Sequence, residues 1–104
     1  MRPIPPKLRA KIAADPFMHH CIHYTCHGKP EWEHAIIVGG KQLNEAWAIV
    51  PVCTFHHRGE GLDKQYNRYR AYNRATDTDF NAYPKSAPAW LQEKKYLNTI
   101  YGTE

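Results

Sequence analysis

The residue types that most often bind metals are concentrated in one segment of this chain. All 7 histidines and all 3 cysteines of its 104 residues lie between positions 19 and 57. A domain of this size buries only about two thirds of the surface that its unfolded chain exposes, so a bound metal would add stability that a small core lacks. Because the cysteine count is odd, a closed disulfide framework is not expected. The segment therefore predicts a metal-stabilised domain.

Two ligand pairs lie within this segment. Four residues separate Cys21 from Cys26, and two residues separate Cys53 from His56. Two such pairs on separate turns can close a tetrahedral site, so we predict a structural Zn²⁺ on these four side chains. The alternative is that the cysteines are small buried apolar residues and that the histidines lie at the surface. Rival histidine ligands are His57, His23 and His27.

Local patterns predict an α+β domain over residues 1–104, with a helical extension at about 62–104. The predicted elements are, in chain order, a helix from Pro5-Pro6 to Asp15-Pro16, a buried strand over Trp47–Val52, a helix from Cys53 or Thr54, a helix capped by Asp63 and ending near Ala75, a turn of helix opened by Thr76 and Asp79, and a last helix from about Pro88 to Tyr101.

A second pattern lies between and after the zinc pairs. Glu31-Trp32-Glu33-His34 precedes an apolar run and Gly39-Gly40, and Pro51-Val52-Cys53-Thr54-Phe55-His56-His57 follows. Over about residues 19–60, this arrangement resembles the HNH endonuclease family, and in particular small nucleases encoded by phages and prophages. The resemblance implies a ββα-metal finger, in which a β-hairpin packs on a helix, framed by a zinc site and flanked here by helices.

The same resemblance implies a role for each matching residue. His34 matches the general base that activates water, and Glu33 and His57 match the ligands of a catalytic divalent ion such as Mg²⁺, Mn²⁺ or Ni²⁺. His56 is left to the zinc site. The implied activity is hydrolysis of DNA phosphodiester bonds, and the alternative is a zinc-stabilised nucleic-acid-binding module without catalysis.

Two features test this resemblance. The family asparagine that orients the base falls at Ala48 here, and Asn44, four residues earlier, is a candidate replacement. Neighbouring residues of a regular strand also face opposite sides, so Glu33 and His34 are expected to share a site only where the backbone bends or bulges.

Basic residues flank the central segment. Residues 58–74 carry five basic residues against two acidic ones, and residues 1–16 carry four against one. Such residues can simply form a solvated helix face, but beside a nuclease site they would contact the phosphates of a DNA duplex. The predicted DNA contacts are Arg58, Lys64, Arg68, Arg70 and Arg74, with Arg2, Lys7, Arg9 and Lys11 as further candidates. A monomer would nick one strand, and cutting both strands would need a homodimer or sequential nicks.

The chain has no apolar run of the roughly 20 residues that cross a bilayer. The basic N-terminal residues are not followed by the apolar stretch of a secretory signal. We therefore expect a cytoplasmic protein, in a bacterial host or a phage-infected cell, with no membrane partner.

Overall fold

The computed structural model describes residues 3–23, 26 and 28–102, so Arg2 and His27 lie outside it. This part of the chain confirms the α+β class. The helices are α1 (Pro6–Ala13), α2 (Thr54–Arg58), α3 (Lys64–Arg74), α4 (Asp77–Asn81) and α5 (Ala87–Tyr101). The strands are β1 (Glu31–His34), β2 (Ile37–Val38), β3 (Lys41–Gln42) and β4 (Ile49–Val52), and turns of 3-10 helix cover Pro16–His19 and Ala46–Ala48.

Two small antiparallel sheets lie in the centre of the chain. β1 pairs with β4 from Glu31 opposite Val52 to His34 opposite Ile49, one residue against one. β1 therefore contains no bulge, and the strand ends at His34. β2 and β3 form a short hairpin whose turn, Gly39-Gly40, has φ values of +57° and +79°. Glycine is the residue that adopts this left-handed backbone without strain.

β4 forms the buried centre of the fold and leads directly into α2. All four of its residues are buried, which fits the apolar run from which a strand was predicted. The strand begins at Ile49 rather than at Trp47, because Ala46–Ala48 form a 3-10 turn. That turn places the ring of Trp47 edge-on to Phe80 and Trp90, with centroids 5.4 Å and 5.3 Å away.

The longer helices cover this centre. Asp63 caps α3 as predicted, its carboxylate accepting a hydrogen bond from the Tyr66 backbone N–H at 3.0 Å. The buried residues of α3 are Asn67, Ala71 and Tyr72. Tyr66 and Tyr69 are partly buried and lie at the margin of this face, and Leu62, which precedes the helix, is exposed.

Local signals also predicted the chain beyond α3. Thr76 and Asp79 form a reciprocal capping box at the start of α4, in which each side chain accepts a hydrogen bond from the other residue's backbone N–H. α5 ends at Tyr101, as expected, with Gly102 as its C-cap, and it buries Trp90 and Leu97. Among the described residues, no helix is long and apolar enough to span a membrane.

Candidate metal sites

The four residues predicted to bind zinc come together in the structure. One ligand atom from each of Cys21, Cys26, Cys53 and His56 lies within 4.8 Å of the others. His56 Nδ1 is 3.2 Å from Cys53 Sγ and 3.5 Å from Cys21 Sγ. Cys26 Sγ is 3.6 Å from Cys53 Sγ. Three thiols and one imidazole are a donor set of structural zinc sites, so this Cys3His cluster could hold a metal such as Zn²⁺.

Local backbone geometry builds the Cys3His cluster. Cys53 is the N-cap of α2, which places His56 one helical turn further on and on the same side. In the segment that carries the first ligand pair, the Gly28 backbone N–H donates a hydrogen bond to Cys26 Sγ at 3.4 Å. A Cβ at residue 28 would lie only 2.6 Å from the Cβ of Cys53. The cluster therefore requires glycine at this position.

The surroundings of two of the thiols shift their pKa values in opposite directions. Burial raises the pKa of Cys21 above its usual value. Burial opposes ionisation of Cys53 too, but hydrogen bonds from the backbone N–H groups of His56 and Phe55, together with the neighbouring thiols, lower its pKa overall. The N-terminus of α2 thus stabilises a thiolate, the form of cysteine that binds metals.

His57 follows His56 in α2 but contacts β1 rather than the cluster. Its Nδ1–H donates to Glu31 Oε1 at 2.8 Å, and its Nε2 lies 3.9 Å from Glu33 Oε1. A carboxylate bonded to one ring nitrogen orients the imidazole and leaves the other nitrogen free for a metal. The structure therefore brings together Glu33 and His57, the two residues expected to share an ion.

Glu31 is strongly held by its neighbours. It also accepts hydrogen bonds from Thr54 Oγ1 at 2.7 Å and from Arg58 Nη2 at 3.0 Å. The hydrogen bond from His57 is the main reason why the pKa of Glu31 is lowered to about 2. Glu31 is thus ionised at neutral pH and available to orient His57. Sequence reasoning quoted Glu31 in its motif but assigned it no role.

His34 is buried at the end of β1 and is held by Asn44. Its Nε2–H donates to Asn44 Oδ1 at 2.7 Å, and Asn44 Nδ2–H donates to the Pro3 carbonyl at 2.8 Å. These two partners orient the amide, and a neutral His34 with its proton on Nε2 keeps its lone pair on Nδ1. Ala48, which stands at the family's asparagine position, is fully buried.

One cavity joins the predicted catalytic residues. Glu33, His34 and His57 line a space of about 330 Å³, which Arg58 and Lys64 also border. β1 ends at His34, so its last two side chains reach the same opening although the strand is regular. The arrangement thus combines a carboxylate, two imidazoles and two cations around one open space.

A buried asparagine that sequence reasoning missed contacts Glu33. Asn67 Nδ2–H donates to Glu33 Oε2 at 2.5 Å, and Asn67 Oδ1 accepts from His23 Nε2–H at 3.2 Å. Burial raises the pKa of Glu33, while His57 and Asn67 act in the opposite direction. The sequence signal for Asn67 is a polar residue four positions before Ala71, on the helix face that is expected to be apolar.

The predicted DNA contacts differ in their surroundings. The side chain of Arg58 is 68% exposed, and Arg58 and Lys64 both border the cavity. Further along α3, Arg68 pairs with Glu93 at 3.3 Å, Arg70 donates to the Ile22 carbonyl at 2.8 Å, and Arg74 pairs with Asp15 at 2.5 Å. Arg58 also pairs with Glu31 at 3.0 Å, so what separates the first two cations from the last three is their position beside the cavity.

Compared with known proteins, the chain matches no protein-family model, no curated protein and no solved structure.

Proposed function

We propose that this chain is a metal-dependent DNA endonuclease of the HNH type. The observation that supports this best is the meeting of Glu33, His34 and His57 at one cavity. The β1 and β4 pair followed by α2 is compatible with a ββα-metal finger, and the Cys3His cluster would be its zinc frame. The proposed unit is a single nuclease domain over residues 1–104.

Glu33 Oε1 and His57 Nε2 would hold the catalytic divalent ion. When bound, such an ion polarises the scissile phosphate and stabilises the leaving 3′ oxygen. Two protein ligands leave other coordination positions for water and substrate. Glu31 keeps the Nδ1 proton of His57 directed away from the cavity, so the lone pair on Nε2 faces Glu33.

His34 would act as the general base. Its Nε2–H is held by Asn44, so Nδ1 is the nitrogen able to accept a proton from water. Asn44 thus supplies an orienting amide that Ala48 cannot. The loss of the family asparagine at residue 48 therefore does not by itself argue against catalysis.

DNA would approach from the side of Arg58 and Lys64. These two cations border the cavity, where they would contact the phosphates next to the scissile bond. Arg68, Arg70 and Arg74 are engaged by Glu93, the Ile22 carbonyl and Asp15 respectively, so we assign the last two to the stability of the fold rather than to DNA.

A plasmid assay tests the proposal. Supercoiled DNA is incubated with the zinc-loaded chain and Mg²⁺, Mn²⁺ or Ni²⁺, in parallel with His34→Ala and with His19→Ala as a matched control at an exposed histidine. We expect nicking that falls about 100-fold or more in His34→Ala, the usual contribution of a general base, and is unchanged in His19→Ala.

Two outcomes would contradict the proposal. Equal nicking by the wild type and by His34→Ala would exclude His34 as the base. Salt-sensitive DNA binding without nicking under any ion would favour the nucleic-acid-binding module instead. Linear product at an early stage would indicate a homodimer, since a monomer with one site cuts one strand per encounter.

A further inference from the structure

Asn67 lies where a residue of α3 would ordinarily be apolar. It is 1% exposed, and the helix positions nearest to it in the core are Ala71 and Tyr72. Burying an amide is unfavourable unless hydrogen bonds compensate for the lost water. Leucine has the same number and branching of side-chain heavy atoms and carries no polar group that needs a hydrogen bond. The presence of the amide therefore calls for a reason other than packing.

The hydrogen bonds of Asn67 supply that reason. Its Nδ2–H is bonded to Glu33 Oε2 at 2.5 Å, while the other carboxylate oxygen, Oε1, is the one that faces His57 Nε2. Asn67 thus holds Glu33 in a rotamer in which one defined oxygen points to the proposed ion. Without it, the Glu33 carboxylate is free to rotate, and the ion would have to order it on binding.

The other end of the same amide leads to the Cys3His cluster. Asn67 Oδ1 accepts a hydrogen bond from His23 Nε2–H at 3.2 Å. The ring of His23 stacks on the ring of His56, with centroids 4.0 Å apart and planes 9° from parallel. A continuous path of contacts therefore runs from a cluster ligand, through His23 and Asn67, to Glu33.

We infer that Asn67 is a positioning residue for Glu33 and that, through the stacked ring of His23, it makes the second ion site depend on the Cys3His cluster. The inference rests on the proposed function, since it takes Glu33 as an ion ligand. In this arrangement the Cys3His cluster fixes the position of His56, and ring stacking on His56 fixes the position of His23. The hydrogen bonds of Asn67 to His23 and to Glu33 then fix the position of the Glu33 carboxylate.

Binding of Mn²⁺ to the zinc-loaded protein tests the inference without measuring activity. Free Mn²⁺ is followed by electron paramagnetic resonance during titration of the wild type, Asn67→Leu and Asn73→Ala. Asn73 is a matched control on the same helix, an exposed asparagine whose side chain donates to the Tyr69 carbonyl. Zinc content, circular dichroism and thermal unfolding are recorded for each variant.

We expect Asn67→Leu to weaken Mn²⁺ binding about 10- to 100-fold, the usual effect of removing a group that orients a metal ligand. Zinc content should stay at one ion per chain, and Asn73→Ala should bind Mn²⁺ as the wild type does. Unchanged Mn²⁺ affinity in folded Asn67→Leu would overturn the inference.

The histidine in the path provides an independent test if Asn67→Leu does not fold. His23→Phe keeps an aromatic ring against His56 but removes the donor to Asn67, whereas His23→Gln keeps a donor. We expect the phenylalanine variant to lose about tenfold in Mn²⁺ affinity and the glutamine variant to recover part of it. Equal affinities in both variants and the wild type would overturn the inference.

The double variant Asn67→Leu/His23→Phe tests whether Asn67 and His23 act through the same path of contacts. If the two residues act through one path, Mn²⁺ affinity in the double variant falls no further than in the single variant with the larger loss. If they act independently, the two losses in affinity multiply. Multiplied losses would overturn the connection to the cluster. Absence of Mn²⁺ binding in the wild type would overturn this inference together with the proposed function, but Mn²⁺ binding without nicking would overturn only the latter.

Discussion

His56 and His57 are neighbours in α2, yet they contribute to two regions of different character. Successive residues of a helix point about 100° apart, so His56 faces the Cys3His cluster and His57 faces β1. The cluster has four protein ligands within 4.8 Å of one another, whereas Glu33 and His57 offer two ligand atoms 3.9 Å apart beside an open cavity. A closed ligand set suits a structural ion and an open one suits catalysis. One helical turn thus joins the Cys3His cluster to the proposed site of catalysis.

The largest expected effect comes from breaking the closed site. Cys53→Ser, or removal of zinc by a chelator, should abolish cooperative thermal unfolding, because the cluster joins two segments of chain that share a small core. Circular dichroism and zinc analysis measure the effect, and adding Zn²⁺ back to the chelated wild type should restore the transition. A native melting curve for the metal-free protein would show that the cluster is not structural.

Breaking the open site should abolish nicking without reducing the stability of the fold. His57→Ala removes one of the two proposed ion ligands but leaves the Cys3His cluster intact. We expect nicking to be lost and Mn²⁺ affinity to fall at least about tenfold, while zinc content and the melting temperature stay near wild-type values. His20→Ala, at another exposed histidine, is the control. A large loss of bound zinc in His57→Ala would mean that the two regions are not separate.

A smaller change tests how closely the chain packs around the closed site. Gly28→Ala places a methyl group against Cys53 Cβ, a contact of 2.6 Å without relaxation. Overpacking of this kind costs about 1–3 kcal/mol, so urea titration should show a lower free energy of unfolding and competition with a chelator should show weaker zinc binding. Gly39→Asn is the control, because its side chain enters open space and asparagine tolerates the left-handed backbone. Equal zinc retention in Gly28→Ala and the wild type would contradict this close approach.

The smallest expected effect lies outside both regions. Asp15 pairs with Arg74, and that hydrogen bond is the main reason why the pKa of Asp15 is lowered. A carboxyl whose pKa is lower in the folded state contributes stability above its unfolded value of about 3.9, and this contribution is lost as the pH falls through the folded pKa.

Asp15→Asn keeps a capping acceptor for the Phe17 N–H but removes the charge. The free energy of unfolding should drop by about 0–1 kcal/mol, by the same amount from about pH 5 to pH 8. Zinc content and nicking should not change. A loss of the same size at a pH low enough to protonate Asp15 would exclude its charge as the cause.

Local features of the chain were predictable because they depend on nearby residues. The caps at Asp63 and Thr76, the ends of α1 and α5, and the two ligand pairs all follow from spacings of a few residues. The cluster was also predictable, since cysteines and histidines at those spacings have few other uses. The start of β4 was not, because Trp47 turns its ring into the aromatic core rather than continuing the strand.

Contacts between distant parts of the chain were beyond such reasoning. Spacing could suggest Asn44 but could not show that its amide meets His34, and it gave no sign that Glu31 would hold His57. The basic stripe on α3 predicted DNA contacts, whereas Arg70 and Arg74 are engaged by Ile22 and Asp15 more than forty residues away.

The sequence by itself determined which residues could bind metal and where helices begin and end, because those properties depend on residue type and short spacing. Only the tertiary structure decided which oxygen of Glu33 faces His57, and that Asn67 and His23 lie between the two sites. Those choices depend on how α3 packs against β4, the strand that pairs with β1, and packing brings together side chains that no local pattern relates.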